Sequence, residues 1–577
     1  MLNTSVLVEG SVIRAVGANI AKPAGALVVD ATGKTLLPGL IDSHTHTLGT
    51  DPLKQAPVFG VTTDLDMFTQ PQLATSVRNQ KREGKLPDSA DLRSSGFLAT
   101  APGGHGTEYG IAVPTLTKPE EAQAWVDARL AEGSDYIKAV YDDALEYGRP
   151  QPTPTLSKEI LKAVAEAAHQ RGKLIVVHIG TLQQAEDAIE AGADGLAHLF
   201  VGAKSSPDFG KLAASHHIFV VPTLTVLQTI CGTPFDSELA DDPRLKPFLP
   251  PAEAAMMKRS FQMPVKIGCE GAYEAVRQLS AAQVPILAGT DVGNPGTTQG
   301  ASLHGEMELL VRAGLTPVQA LRAATSAPAA AFHLDDRGQI APGKRADLVL
   351  VSGDPTADIR ATRDIAAVWL AGHAIDRGAW KAAVAQQTAD QTRTKAAPAP
   401  AGSESGWIAD FEEEAAAQPQ SQPQPKAKFG AGWSGSTDQI AGGKSVARME
   451  VVAGGAEGSK GALHVSGEVM AGFAYPWSGA MFSPGPTPMA PANLSSKKSI
   501  QFWAKGDGQT YRVMVFATRL GFQPAMQTFV AGPEWKQFTM SLASFNGLDG
   551  SDLMAIIWAA GPKTGPYSLL LDNVRLQ

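Results

Sequence analysis

The stretch Pro38-Gly39-Leu40-Ile41-Asp42-Ser43-His44-Thr45-His46 decides how the rest of the chain is read. A short apolar run leaving a Pro-Gly turn reads as a buried parallel strand, and this one ends in two histidines two residues apart. Side chains alternate across a strand, so both imidazoles leave it on the same side. Two imidazoles facing one way at a strand's end can grip one metal ion.

Working outward, four more residues with ligand chemistry stand at the ends of apolar runs: Lys138 in Tyr-Ile-Lys-Ala-Val, His178 in Leu-Ile-Val-Val-His, His198 in Gly-Leu-Ala-His and Asp291 in Ile-Leu-Ala-Gly-Thr-Asp. Taken singly, each has a plainer reading, as a hydrogen-bonded core histidine, a loop cap or a solvated strand end. After the strand at Leu40, the pattern predicts strands at 62–67, 96–100, 136–140, 174–178, 195–198, 219–222 and 286–289. Helix-like segments separate them, for example 118–131 and 157–170, the latter closed by Gly172. Such alternation over about 300 residues is the pattern of an α/β fold, the (β/α)8 barrel, whose active sites form at the C-terminal strand ends. All six candidates lie at or just beyond those ends.

The flanks read differently. Residues 5–37 are short β-rich pieces between glycine and proline turns, and matching strands recur at 346–351 and 366–372. Few strands cannot bury a core alone, so the two ends are expected to form one small composite β-sandwich, from 1–37 and 340–384, around a barrel of 38–339. From about Ala385 the composition turns to Ala, Gln, Pro and Lys, which reads as an extended linker over 385–404. Residues 405–577 are strands and turns, an all-β sandwich or jelly roll, with the Gln/Pro run 418–425 as a long internal loop.

A chain of 577 residues exceeds one core. A net charge of −8 gives no pull toward nucleic acid or anionic membrane, and no run approaches the roughly 20 apolar residues of a membrane span. The expected partner is a small-molecule or peptide substrate, with no nucleic acid and no membrane. The two cysteines, Cys231 and Cys269, form no metal or redox motif; two reduced thiols are expected, a single bridge being the alternative.

The six residues, in their order, resemble the amidohydrolase superfamily. Within it, Gly60-Val61-Thr62-Thr63, Gly103-Gly104-His105-Gly106 and Ala341-Pro342-Gly343-Lys344-Arg345-Ala346-Asp347-Leu348 are similar to the prolidase and imidazolonepropionase branch. The resemblance implies two divalent metal ions, with Zn²⁺ as the default. One is expected on His44, His46 and Asp291, the other on His178 and His198, with Lys138 carboxylated by CO₂ to bridge them. It also implies hydrolysis of an amide-like C–N bond in a peptide-like or N-acyl amino acid substrate, with Asp291 moving the proton. His105 and Tyr141 are expected to contact substrate, and His304 to be structural. The alternatives are a mononuclear deaminase or cyclic-amide hydrolase and, from another class, a scaffold whose working part is the C-terminal module. Residues 410–412, 436–445 and 571–576 resemble the complex I intermediate-associated protein family, a galactose-binding-like jelly roll. That likeness implies a glycan or protein ligand, with Asp410, Glu412 and Asp572 as Ca²⁺ candidates. A homo-oligomer is also admitted. Family members carry a strand ahead of the one at 5–8, so the numbering is expected to begin late. The location would be periplasmic or secreted if a signal peptide stood upstream, and cytoplasmic otherwise.

Overall fold

The computed structural model describes residues 4–577 apart from 109–111, 150, 203, 262, 264, 416–424, 442, 471–475 and 521–523. The chain divides into two compact units, Met1–Tyr109 with Val113–Val384, and Ala385–Gln577.

The first unit is a closed parallel barrel. Strands β4 (Leu40–Thr45), β5 (Val61–Asp66) and β6 (Asp91–Ser94) pair in parallel, as do β7 (Ile137–Val140), β8 (Ile175–His178), β9 (Gly195–Ala197) and β10 (Phe219–Val221). Single bridges complete the ring: Ala99 to Ala139, Val220 to Ile286 and Thr45 to Val292. Every residue of β4 and β5 is buried, as expected of strands covered on both faces. Helices form the outer layer. One of them, Lys158–His169, starts where the Ser157 hydroxyl accepts from the Ile160 amide and buries Ile160, Leu161, Val164 and Ala168 on one stripe. The third strand lies at Asp91–Ser94, earlier than the 96–100 that the sequence suggests; Ala99 still joins the ladder through its bonds with Lys138 and Val140.

At the opposite end of the barrel, β1 (Ser5–Glu9) and β2 (Val12–Gly17) form a ribbon. A four-stranded sheet runs β13 (His373–Ala374), β12 (Ile365–Leu370), β11 (Leu348–Ser352), β3 (Lys34–Pro38). Ile13, Ala346 and Leu348 are the buried centre of an apolar cluster that spans both. Asp91 ties this region to the barrel by accepting from Arg337 (2.8 Å) and pairing with Arg345 and with Lys81 (3.1 Å). The apolar run at 26–31 forms no strand; Leu27 is 90% exposed and has no ladder partner among the described residues.

Two expectations are corrected here. The extended linker expected over 385–404 is helical as far as its first half, because the helix Arg377–Ala396 runs through it. Asp376 accepts from the Ala379 amide at its start, and the residues that follow are mostly good helix formers without proline until Pro398. The cysteines are not free thiols: Cys231 and Cys269 are disulfide-bonded, with Cα atoms 6.1 Å apart. They lie after the helix Leu224–Ile230 and before the helix Glu270–Ala281, elements that the sequence does not show as neighbours.

The second unit stacks two antiparallel sheets. One contains strands Val446–Ala453, Gly461–Val469, Gly565–Leu576, Ser499–Gly506 and Lys536–Ser541, with Trp407–Ala409 on the long Gly565–Leu576 strand; the other contains Gly432–Thr437, Ser478–Ser483, Leu553–Ala560, Thr510–Ala517 and Ala525–Val530. Trp433, Phe482, Phe502, Tyr511 and Trp558 fill the space between them. The carboxylates read as Ca²⁺ candidates are used inside this unit. Asp410 pairs with Lys428, Glu412 accepts from Ser459 and from the Lys460 amide, and Asp572 accepts from the Ala456 amide. Most of the Gln/Pro run 418–425 lies outside the described residues. No helix among the described residues is long and apolar enough to cross a membrane.

The disulfide closes a span of 38 residues, for which the chain-entropy relation gives about 4 kcal/mol of stabilisation. Cys231→Ser is expected to lower the denaturant midpoint accordingly, and reducing agent should do the same to the native chain but not to the variant.

Candidate active site

Six side chains from six places in the sequence meet at the C-terminal mouth of the barrel. His44 ends β4 and His46 follows it. Lys138 is the second residue of β7, His178 the last of β8, and His198 follows β9. Asp291 follows the eighth strand segment, where its amide donates to the His44 carbonyl (2.8 Å). That ladder bond sets one carboxylate oxygen, Asp291 Oδ1, 3.4 Å from His44 Nε2 and 2.9 Å from His46 Nε2. Donor atoms of His44, His198 and Asp291 all lie within 4.8 Å of one another, a spacing fit for a metal ion. The rings of His178 and His198 are 4.4 Å apart, and those of His44 and His198 4.7 Å.

The backbone is shaped to this convergence. His198 and Asp291 both take left-handed conformations, with φ of +72° and +54°, which non-glycine residues adopt at a cost. At Gly289 a Cβ would stand 2.8 Å from the His44 amide nitrogen, so only glycine lets the first and eighth strands approach this closely. Asp42, fully buried, spans the same seam: it accepts from the Thr290 hydroxyl (2.7 Å), the Thr290 amide (3.1 Å) and the His44 amide (3.2 Å). Burial pushes its carboxyl up to about 7.

The electrostatics favour neutral nitrogen donors. Burial, and then the neighbouring Lys138 and imidazoles, hold His44 well below the ordinary histidine range; burial and the charges of His178 and Lys138 do the same for His198. For His46, burial works downward, but the hydrogen bond and charge of Asp291 outweigh it and the net shift is upward. Lys138 Nζ is buried with no hydrogen-bond partner among the described residues, and burial brings it down to about 7. An ammonium without an acceptor is costly there, so the neutral amine competes at physiological pH.

The substrate-contact expectations divide. His105 is brought in, its ring 5.0 Å from that of His178 and its Nδ1 2.6 Å from Glu108. Tyr141 is not. Its hydroxyl donates to Asp187 (3.2 Å), in the helix layer. An odd offset of three from Lys138 sends it to the other face, whereas Asp142, at an even offset, faces the cluster and lies 3.3 Å from His178 Nε2. Tyr147 is the tyrosine near the site: burial and then the carboxylates of Asp142 and Asp291 push its hydroxyl well up. His304 is structural, held between Thr362 and the Phe59 carbonyl. Asp42, Asp142 and Tyr147 are residues that motif reading passed over. For Asp42 and Asp142 the signal was available in strand alternation.

A parallel (β/α)8 barrel with histidines, a lysine and an aspartate gathered at its C-terminal mouth defines a class of hydrolases. Residues 35–375 match the amidohydrolase family, and 421–549 match complex I intermediate-associated protein 30. The chain therefore belongs to the amidohydrolase family and is a hydrolase of carbon–nitrogen bonds. It is similar to imidazolonepropionase from Deinococcus radiodurans, 25% identical over 398 residues that cover 64% of this chain and 91% of that protein. Among solved structures, a putative prolidase from Bifidobacterium longum is 25% identical with a TM-score of 0.51, covering 67% of this chain and 94% of the other. A Xaa-Pro dipeptidase with bound methionine shares the fold at 23% identity and a TM-score of 0.52, covering 64% and 94%.

The lysine's titration has a measurable sign. Its folded pKa, about 7, is below the unfolded value of 10.5, so between these limits the unfolded chain binds more protons and stability rises with pH; below 7 the full penalty is present. In chelator-treated, CO₂-free protein, Lys138→Met is expected to gain on the order of 4 kcal/mol at pH 7 and to lose this pH slope. Denaturant titrations of both chains from pH 6 to 10 check it.

Proposed function

We propose that this enzyme is a binuclear metal hydrolase that cleaves an amide bond in a peptide-like or N-acyl amino acid substrate. The observation that carries the reading is Lys138, a buried amine with no partner among the described residues, set beside His44 and His198, which burial keeps neutral. An amine of this kind adds CO₂ at nitrogen and releases a proton, which turns an unsatisfied donor into a two-oxygen anion. His44 Nε2, His46 Nε2 and Asp291 would hold one ion. Nδ1 of His178 and Nε2 of His198, the nitrogens not engaged by Asp142 and Thr223, would hold the other, with the carboxylated Lys138 as a further ligand. Divalent ions bound there would supply Lewis acidity toward the scissile carbonyl and a water that is nucleophilic at neutral pH.

The chain's own residues do the rest. Asp291 keeps Oδ1 toward His44 and His46, which leaves Oδ2 to take the proton of the attacking water and return it to the departing nitrogen. His105, whose Nδ1 donates to Glu108 and whose ring lies 5.0 Å from that of His178, would line the substrate side of the cluster. Tyr147 supplies a hydroxyl donor, in the role first expected of Tyr141.

A second reading, a mononuclear cyclic-amide hydrolase, is favoured by the likeness to imidazolonepropionase. Metal content separates the two: purified protein is expected to carry about two divalent ions per chain, and a single ion would give the second reading. Lys138→Ala should lose metal and turnover together. Asp291→Asn should lower kcat by roughly 10²- to 10⁴-fold with a smaller change in KM, the usual contribution of a general acid–base group. A panel of dipeptides, N-acyl amino acids and cyclic amides then assigns the substrate class; a fall in kcat below about tenfold for Asp291→Asn would remove its proton role.

A further inference from the structure

The turn after β10 contains a threonine whose backbone and hydroxyl are both committed. Thr223 is fully buried, β-branched and left-handed, with φ +49° and ψ +45°. Such a residue keeps that conformation only where its surroundings enforce it. Glu306 enforces it. This carboxylate, buried on the helix Ala301–Arg312, accepts from the Leu224 amide (3.0 Å), the Thr225 amide (2.8 Å) and the Thr225 hydroxyl (2.7 Å). These are the two amides that follow Thr223 directly, so the carboxylate fixes the turn in which Thr223 sits.

The hydroxyl of Thr223 lies 2.8 Å from the Pro222 carbonyl oxygen and 2.7 Å from His198 Nδ1. A hydroxyl has one proton to give, and a carbonyl can only accept. Both contacts are satisfied together only when Thr223 donates to Pro222 and His198 donates from Nδ1 to Thr223. In a neutral imidazole the lone pair then stands on Nε2. The main chain of His198 is pinned as well, its amide donating to the Val221 carbonyl (2.9 Å).

We propose that Glu306 and Thr223 are positioning residues, which set the Nδ1–H tautomer of His198 and aim its Nε2 into the cluster formed with His44 and Asp291. The proposal rests on the metal-hydrolase reading above. An outer hydrogen bond of this kind orients a ligating ring and raises the basicity of its inner nitrogen.

The test uses the full chain stripped of metal and titrated with Co²⁺ against a competing chelator, read by visible absorption. Thr223→Val keeps volume and β-branching but has no hydroxyl; Thr223→Ser keeps the hydroxyl; Glu306→Gln turns an amide N–H₂ toward backbone donors. Thr223→Val and Glu306→Gln are expected to weaken Co²⁺ binding about 10- to 100-fold, and Thr223→Ser to restore it. Nitrogen chemical shifts of ¹⁵N-histidine in the metal-free protein should show the His198 proton on Nδ1, and a mixture of tautomers in Thr223→Val. Native Co²⁺ affinity in Thr223→Val, failure of Thr223→Ser to rescue, or a native proton on Nε2 overturns the proposal. Should Glu306→Gln not fold, the two Thr223 variants carry the comparison. If the native chain takes up no Co²⁺, the metal reading falls, and the tautomer shifts alone decide: Nδ1–H lost in Thr223→Val upholds the positioning role, and Nε2–H ends it.

Discussion

Hydrogen bonds between β4 and the eighth strand segment close the barrel, and the site exists because of that closure. The Ser43 amide donates to the Ala288 carbonyl (2.9 Å) and the Asp291 amide to the His44 carbonyl (2.8 Å), joining residues nearly 250 positions apart in the chain. The buried carboxylate of Asp42 reinforces the seam by gripping Thr290 and the His44 amide together. Without the seam, His44 and Asp291 would share no neighbourhood. The ordering entropy of such a distant pairing has to be met elsewhere, and the continuous apolar core between strands and helices is what meets it.

Against that background the site is locally unfavourable. It holds a buried amine with no acceptor among the described residues, the imidazoles of His44 and His198 kept neutral by burial, and left-handed residues at 198, 223 and 291. Each is a cost that a packed scaffold can sustain and an isolated loop could not. The scaffold holds nitrogen donors of His44 and His198 and one carboxylate, Asp291, within 4.8 Å of one another, a spacing fit for a metal ion.

Much of this was legible in the sequence. Strand ends at His44, His178, His198 and Asp291 stood out because apolar runs stop there, whereas Lys138 lies inside β7 with Ala139 and Val140 beyond it; a barrel follows from the alternation of these runs with helices. What could not be read required distance. Cys231 and Cys269 gave no spacing signal, since their pairing depends on how two helices of the outer layer lie. The Ala/Gln-rich segment before Pro398 reads as linker on composition, although its individual residues favour a helix. Tyr141 is set apart by alternation along the strand, which puts it opposite Lys138 with its hydroxyl on Asp187. Thr223 and Glu306 meet only through the tertiary fold, being more than 80 positions apart.

The left-handed conformations at His198, Thr223 and Asp291 have a bearing on how this protein can change. At each of these positions glycine would fit the backbone with less strain, but it would remove the side chain that the position brings to the cluster. Stability and activity thus pull in opposite directions at the same three points in the chain.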